Sequence, residues 1–214
     1  MMRQAFFTEM EDLKKDLLDL GTMAASSFQR VYQAASKGDS ALLKDIIEED
    51  AELNKAEMEI NEKATLIMTK QQPVAKDLRH VIVCLKISSD LERIGDLSVD
   101  MAKAYLHLRH HEAFAVFESD FHYLFDHVSA MLDDVLESYK LQDPLKAQQI
   151  AAMDDEVDRV FGKLIKEMFQ SEMHPDETIQ LAFTARYMER IGDYCTNIAE
   201  WVLYEVNGRR FDLN

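Results

Sequence analysis

The chain is short of everything that interrupts a helix. Its 214 residues include only 6 Gly and 3 Pro, too few to supply the turns that a succession of short strands would need. Basic residues are also scarce, at 24 Lys and Arg against 40 Asp and Glu, for a formal net charge of −16. Such a surface repels a phosphate backbone at long range and carries no basic footprint, which argues against nucleic-acid binding. No apolar run is long enough to cross a bilayer, so no direct membrane insertion is expected. The opening residues lack the apolar core of a signal peptide, which makes the cytoplasm the expected location. The two cysteines, Cys84 and Cys195, are far apart, form no Cys-x-x-Cys motif and fall within apolar helical runs. They read as buried free thiols. There is neither a Gly-x-Ser-x-Gly nucleophile turn nor a Walker loop, so no enzyme motif marks the chain.

Between the sparse breakers the sequence is rich in Leu, Ala, Glu, Lys and Met, all good helix formers. The breaks are Ser36-Lys37-Gly38-Asp39, Gln72-Pro73, His110-His111-Glu112, Asp143-Pro144, His174-Pro175-Asp176 and Asn207-Gly208. Gly38 and Gly208 suit helix stops, Asp39 and Asp143 suit N-caps, and Pro suits a first helical turn. The spacing predicts an all-α fold of six long helices, over 3–36, 40–71, 75–109, 114–140, 144–171 and 176–206. Helices of that length point to an elongated bundle.

The helices fall into two sets of three, because the third and sixth carry the same segment. Asp90-Leu91-Glu92-Arg93-Ile94-Gly95-Asp96 matches Tyr187-Met188-Glu189-Arg190-Ile191-Gly192-Asp193 through Glu-Arg-Ile-Gly-Asp, each copy following a Pro break. That shared context favours duplication. The expected units are residues 1–110 and 111–214, two pseudo-symmetric three-helix bundles.

Glu92 and Asp96 are four apart, so they share one helix face and repel each other. The same holds for Glu189 and Asp193. Each Glu interrupts a seam of apolar or small residues, where an unpartnered carboxylate is costly. Ser88, Gly95 and Ala102, like Ala185, Gly192 and Ala199, would let a neighbouring backbone come close. The second helix offers Asp50, Asn54 and Glu57 on one column, and the fifth offers Asp154 and Asp158. Two readings stay open. The acids could form oxygen-rich cation sites, suited to hard or borderline metals. Alternatively they could make structural ion pairs, with Arg93 and Arg190 as partners on adjacent helices. The histidines around the midpoint (His107, His110, His111, His122 and His127) read as solvent-facing, the methionines as core filling, and Trp201 as a packing residue.

With these residues on view, the sequence resembles the PhoU family. The resemblance is carried by Gln71-Gln72-Pro73-Val74-Ala75-Lys76-Asp77-Leu78-Arg79 and the two Glu-Arg-Ile-Gly-Asp segments, and it extends over essentially the whole chain. It implies a negative regulator of phosphate uptake and signalling, an adaptor between the ATPase subunit of the phosphate ABC transporter and a sensor histidine kinase. Some members hold multinuclear metal clusters on Glu/Asp-x-x-x-Asp motifs. By position these motifs are Glu92 with Asp96 and Glu189 with Asp193, and the middle helices would add Asp50, Asp154 and Asp158. Asp100 and Asn197, four residues beyond each motif, would add a ligand or a hydrogen bond. Asn54 departs from the acidic pattern and puts full occupancy of the first site in question. The metal would be Fe, Mn, Zn or Mg, and a homodimer is expected because long bundles leave apolar stripes. The competing reading is a carboxylate-bridged, ferritin-like metalloenzyme. It normally uses Glu-x-x-His on facing helices, and this chain has no such segment. A third reading, a purely structural scaffold, predicts that changing Glu92 and Asp193 to amides leaves regulation intact.

Overall fold

The structure is a computed structural model that describes residues 2–213, and among them it contains seven helices and no strand. Helix α1, Met2–Lys37, stops at Gly38, whose φ of +70° a residue with a Cβ would strain to adopt. Asp39 then caps α2, Ser40–Gln71, its carboxylate accepting from the Leu42 amide at 3.0 Å. Helix α2 ends in the left-handed Gln72, followed by Pro73, and α3 runs over Lys76–Leu106. Helix α6, Pro144–Gln170, is capped by Asp143, which accepts from the Leu145 amide at 2.9 Å and the Lys146 amide at 3.3 Å. Helix α7, Pro175–Asn207, begins at another Pro and ends on Gly208, with φ +76°. The breakers read from the sequence therefore act where they stand. Asp143→Ala should cost about 1 kcal/mol, read as a shift in urea midpoint, because two amides at the start of α6 lose their acceptor.

Two boundaries differ from the expectation. The third helix stops at Leu106 rather than 109, and the predicted helix over 114–140 is divided into α4, Glu112–Val116, and α5, Glu118–Leu141. The division falls at Phe117, where φ is −117° and ψ 21°. No Pro or Gly causes it. Phe114, Phe117 and Phe121 are all buried, and Phe114 packs on Tyr32, Tyr105 and Phe121. The three rings stand at i, i+3 and i+7, on one helix face, and all pack into the core across the break.

Helices α1–α3 form one three-helix bundle and α5–α7 the other. They join along α3 and α7, which run antiparallel: Arg109 pairs with Asp176 at one end and His80 with Glu205 at the other. Helices α1 and α5 form a second antiparallel seam. Lys14 donates to the Lys140 carbonyl near one end of it, and the Tyr32 and Phe125 rings stack at 4.0 Å near the other. The shared core includes Phe28, Phe121, Leu91, Ile94 and Met101, each almost wholly buried. Cys84 and Cys195 are both buried and free. Of the methionines read as filling, Met101 and Met188 are buried, whereas Met58 is exposed. Met58 is on an outer turn of α2, where no other helix covers it.

Candidate metal centre

Each bundle carries one acidic set between its second and third helices. In the second bundle, α6 brings Asp154 and Asp158, and α7 brings Glu189 and Asp193. One carboxylate oxygen each of Asp158, Glu189 and Asp193 lies within 4.8 Å of the others. Asp154 lies beside them, buried at 8 % exposure. The helices approach this closely because Gly192 has no side chain. A Cβ there would sit 3.2 Å from Asp154 Oδ1 and 3.5 Å from Val157 Cγ1.

Burial and mutual repulsion raise the proton affinity of this set. Burial first and the Asp193 charge second push Asp154 up to about 6, with the Thr196 hydroxyl acting the other way. Glu189 is pushed up to about 7 by burial and then by Asp193, against the pull of Arg186. Asp193 is raised by burial and by Asp158, with Arg186 and Arg190 opposing. Arg186 is the cation that touches the set, pairing with Glu189 three residues away. Among the described residues, buried Glu189 Oε2 and Asp154 Oδ1 have no hydrogen-bond partner. Unpaired oxygens of this kind, next to three converging carboxylates, have the donor chemistry that a hard or borderline cation uses. The residues therefore fit a metal: Asp158, Glu189 and Asp193 as carboxylate donors, with Asp154 and Thr196 beside them.

The first bundle repeats the plan with a different balance of charge. Asp50 is raised by burial and then by Asp96, with a smaller contribution from Asp100, while Asn54 and Lys103 lower it. Glu92 is raised by burial, then by Asp96, Glu57 and Asp50, with Arg93 opposing. Asn54 donates to Asp50 Oδ2 at 3.0 Å, so the amide that departs from the acidic pattern relieves the carboxylate one turn away. Arg93 reaches Asp96 at 2.8 Å and Glu92 at 3.4 Å, and Lys103 reaches Asp100 at 3.1 Å. Protein cations thus already answer part of the negative charge here.

The arginines do not behave as the ion-pair reading expected. Arg93 pairs with acids of its own helix, and Arg190 donates to the Tyr194 hydroxyl at 3.4 Å rather than to a carboxylate. Sequence reasoning placed Glu57 on the right column, and it did not single out Thr196 or Arg186. The signal for Arg186 was its position one turn before Glu189. Asn197 lies apart from the acidic set, lining a hollow with Asp90 and Trp201. Trp201 packs as expected, with the Arg210 guanidinium 4.4 Å from its ring centre. The histidines make local contacts: His107 and His127 bond to backbone carbonyls, and His111 stacks on Tyr105 at 5.0 Å.

The doubled arrangement of three helices and acids is matched twice by one family description. The PhoU domain family model aligns with residues 17–105 and again with 122–202. The chain belongs to the PhoU family. Its relatives include the phosphate-specific transport system accessory protein PhoU homolog of Clostridium acetobutylicum, 33% identical over the full length of both chains. The PhoU of Escherichia coli is also 33% identical, across 96% of this chain and 87% of that protein. The crystal structure of the phosphate transport system regulatory protein PhoU from Streptococcus pneumoniae superposes with a TM-score of 0.91 at 28% identity. That match covers 97% of this chain and 99% of the other. PhoU proteins form a regulatory accessory family and not an enzyme family.

Proposed function

We propose that this chain is a cytoplasmic negative regulator of phosphate uptake and phosphate signalling, bridging the ATPase subunit of a phosphate ABC transporter and a sensor histidine kinase. The observation that carries the reading is its full-length likeness to phosphate-transport accessory proteins. No helix among the described residues is long and apolar enough to cross a membrane, which suits a protein that meets the transporter from one side. The repeats, taken as 1–110 and 111–214, would offer one surface to each partner. The test is size-exclusion chromatography of the purified chain with the purified ATPase subunit and the cytoplasmic part of the kinase. A complex containing both supports the adaptor, and separate elution of all three sinks it. Light scattering on the same column reads whether the chain is the expected homodimer. The surface that supports self-association lies on α6 and α7, where Phe169, Ile179 and Phe183 are exposed side by side.

In the same reading the acidic sets hold divalent or transition metal ions, such as Fe, Mn, Zn or Mg. The residues concerned are Asp154, Asp158, Glu189 and Asp193 in the second bundle, and Asp50, Glu92, Asp96 and Asp100 in the first. A bound cation supplies positive charge beyond what Arg186 brings to the second set. Elemental analysis of the purified protein should find metal. Glu189→Gln with Asp193→Asn should remove the larger share of it, because Arg93, Lys103 and Asn54 already serve the first set. Equal metal content in the variant would mean that these oxygens are not the donors.

A further inference from the structure

Away from both acidic sets, a cavity of about 330 Å³ lies where α1 begins and α7 ends. Its apolar wall is Phe6, Phe7, Met10 and Leu13 from α1, with Tyr139 from α5 facing them. This size, lined by rings and aliphatic chains with a few converging polar groups, is that of a small-molecule site between helices. The polar groups come from three separate segments. Glu205 of α7 is 4 % exposed; its Oε1 pairs with His80 Nδ1 of α3, and its Oε2 accepts from Gln142 Nε2 at 3.0 Å.

Packing alone does not call for this arrangement. The two Glu-Arg-Ile-Gly-Asp copies put Glu205 in sequence register with Leu108, which lies past the end of α3 and is buried without charge. At the opposite end of the molecule the space beside α3 is closed by the packed rings of Tyr32, Tyr105, Phe114 and Phe121. Gln142, which supplies the amide, has a φ of +55° although it carries a side chain. That conformation is the left-handed cap that ends α5, as Gln72 ends α2, and it sets the side chain beside Glu205. A buried carboxylate, an amide on a left-handed residue and an open space thus coincide.

The walls also state the sign of the ligand. Three carboxylates, Glu11, Asp77 and Glu205, line the cavity against the ammoniums of Lys14 and Lys76, with the His80 ring paired to Glu205. Lys14 is already committed to the Lys140 carbonyl at 3.0 Å, and its Nζ stands 5.8 Å from the Tyr139 ring centre. The aromatic wall therefore already receives one ammonium, as ring faces do. We infer that this cavity binds a small organic cation, an ammonium group carried on an apolar body, with the charge directed to Glu205 and the body lying against Phe6, Met10 and Leu13.

The test uses the full-length protein and three probes of one shape: hexylammonium, hexanol and hexanoate, followed by calorimetry and thermal unfolding at neutral pH. Hexylammonium should bind and raise Tm, at least about tenfold more tightly than hexanol, the difference a charge-assisted contact makes. Hexanoate should not bind. Met10→Trp fills the cavity from α1 and should abolish binding while the protein stays folded. Glu205→Gln should weaken hexylammonium about tenfold and leave hexanol unchanged; should that variant fail to fold, Met10→Trp decides alone. Equal affinity for all three probes, no binding of any, or undiminished binding to Met10→Trp would each overturn the inference.

Discussion

Metal-free protein, prepared with a chelator, should become more stable as the pH is lowered from about 8 to about 5, the reverse of the response of a fold held by salt bridges. Three carboxyl groups cause this. Glu189 and Asp90 are pushed up to about 7, and Asp154 up to about 6, each chiefly by burial. Their ordinary values are 4.5 for Glu and 3.8 for Asp. Between the ordinary and the raised value the folded state holds the proton and the unfolded state has released it. The folded protein then binds more protons, so by linkage stability falls as the pH rises through that window. Below about 4 both states are protonated and the cost is absent; above about 7 it is complete. Each group contributes on the order of 2 kcal/mol once residual solvation is allowed for. Groups that favour the charged form, such as Glu156 held near about 2 by Arg159 and Tyr123, change only at lower pH and leave the window clear. Urea midpoints at three pH values across the window read the effect. Asp154→Asn with Glu189→Gln should raise stability at pH 8 and flatten the curve. A wild type that weakens on mild acidification, with a double variant less stable at pH 8, would show that these acids are members of structural ion pairs.

Adding Mg or Mn at pH 8 should recover the same stability in the wild type, because a ligand that binds only the folded state stabilises it by mass action. The double variant should respond much less, since only the first set then keeps its full complement of acids. This separates repulsion relieved by protons from repulsion relieved by a cation, which the pH curve alone does not.

The features legible in the sequence are those set by single residues with a strong local effect. Gly38, Asp39, Pro73, Asp143, Pro144, Pro175 and Gly208 stand at helix ends because each alters φ, removes a donor or supplies a cap. The duplicated Glu-Arg-Ile-Gly-Asp placed both acidic pairs on helix faces, where periodicity suffices. The break at Phe117 was not legible, since no Pro or Gly marks it. Neither was the division of labour between the two acidic sets. That depends on Arg93 folding back onto its own helix while Arg190 turns to Tyr194, a difference between two arginines in identical five-residue contexts. The His80–Glu205 pair is likewise invisible to periodicity, because its two residues meet only when the repeats pack.

The glycines give the sharpest mutational contrast, because three of them in helices meet three different surroundings. Gly162 has nothing within 4 Å of where a Cβ would be, so Gly162→Ala should stabilise the protein by about 0.5–1 kcal/mol through helix propensity alone. At Gly95 a Cβ would meet Leu53 Cδ1 at 2.9 Å. That is the end of a side chain able to change rotamer, so Gly95→Ala should cost about 1 kcal/mol or less after repacking. At Gly192 the nearest atoms are Asp154 Oδ1 at 3.2 Å, Val157 Cγ1 at 3.5 Å and Met131 Cε at 3.7 Å. A leucine there has to displace α6, since a β-branched valine and a buried carboxylate cannot both give way. Gly192→Leu should therefore cost about 3 kcal/mol in urea unfolding. It should also abolish the metal held by the second acidic set, although it removes no ligand. The two readouts move together only if the close approach of α6 to α7 is what assembles Asp158 with Glu189 and Asp193. Lost stability with metal content intact would mean that the acids find the cation without that approach.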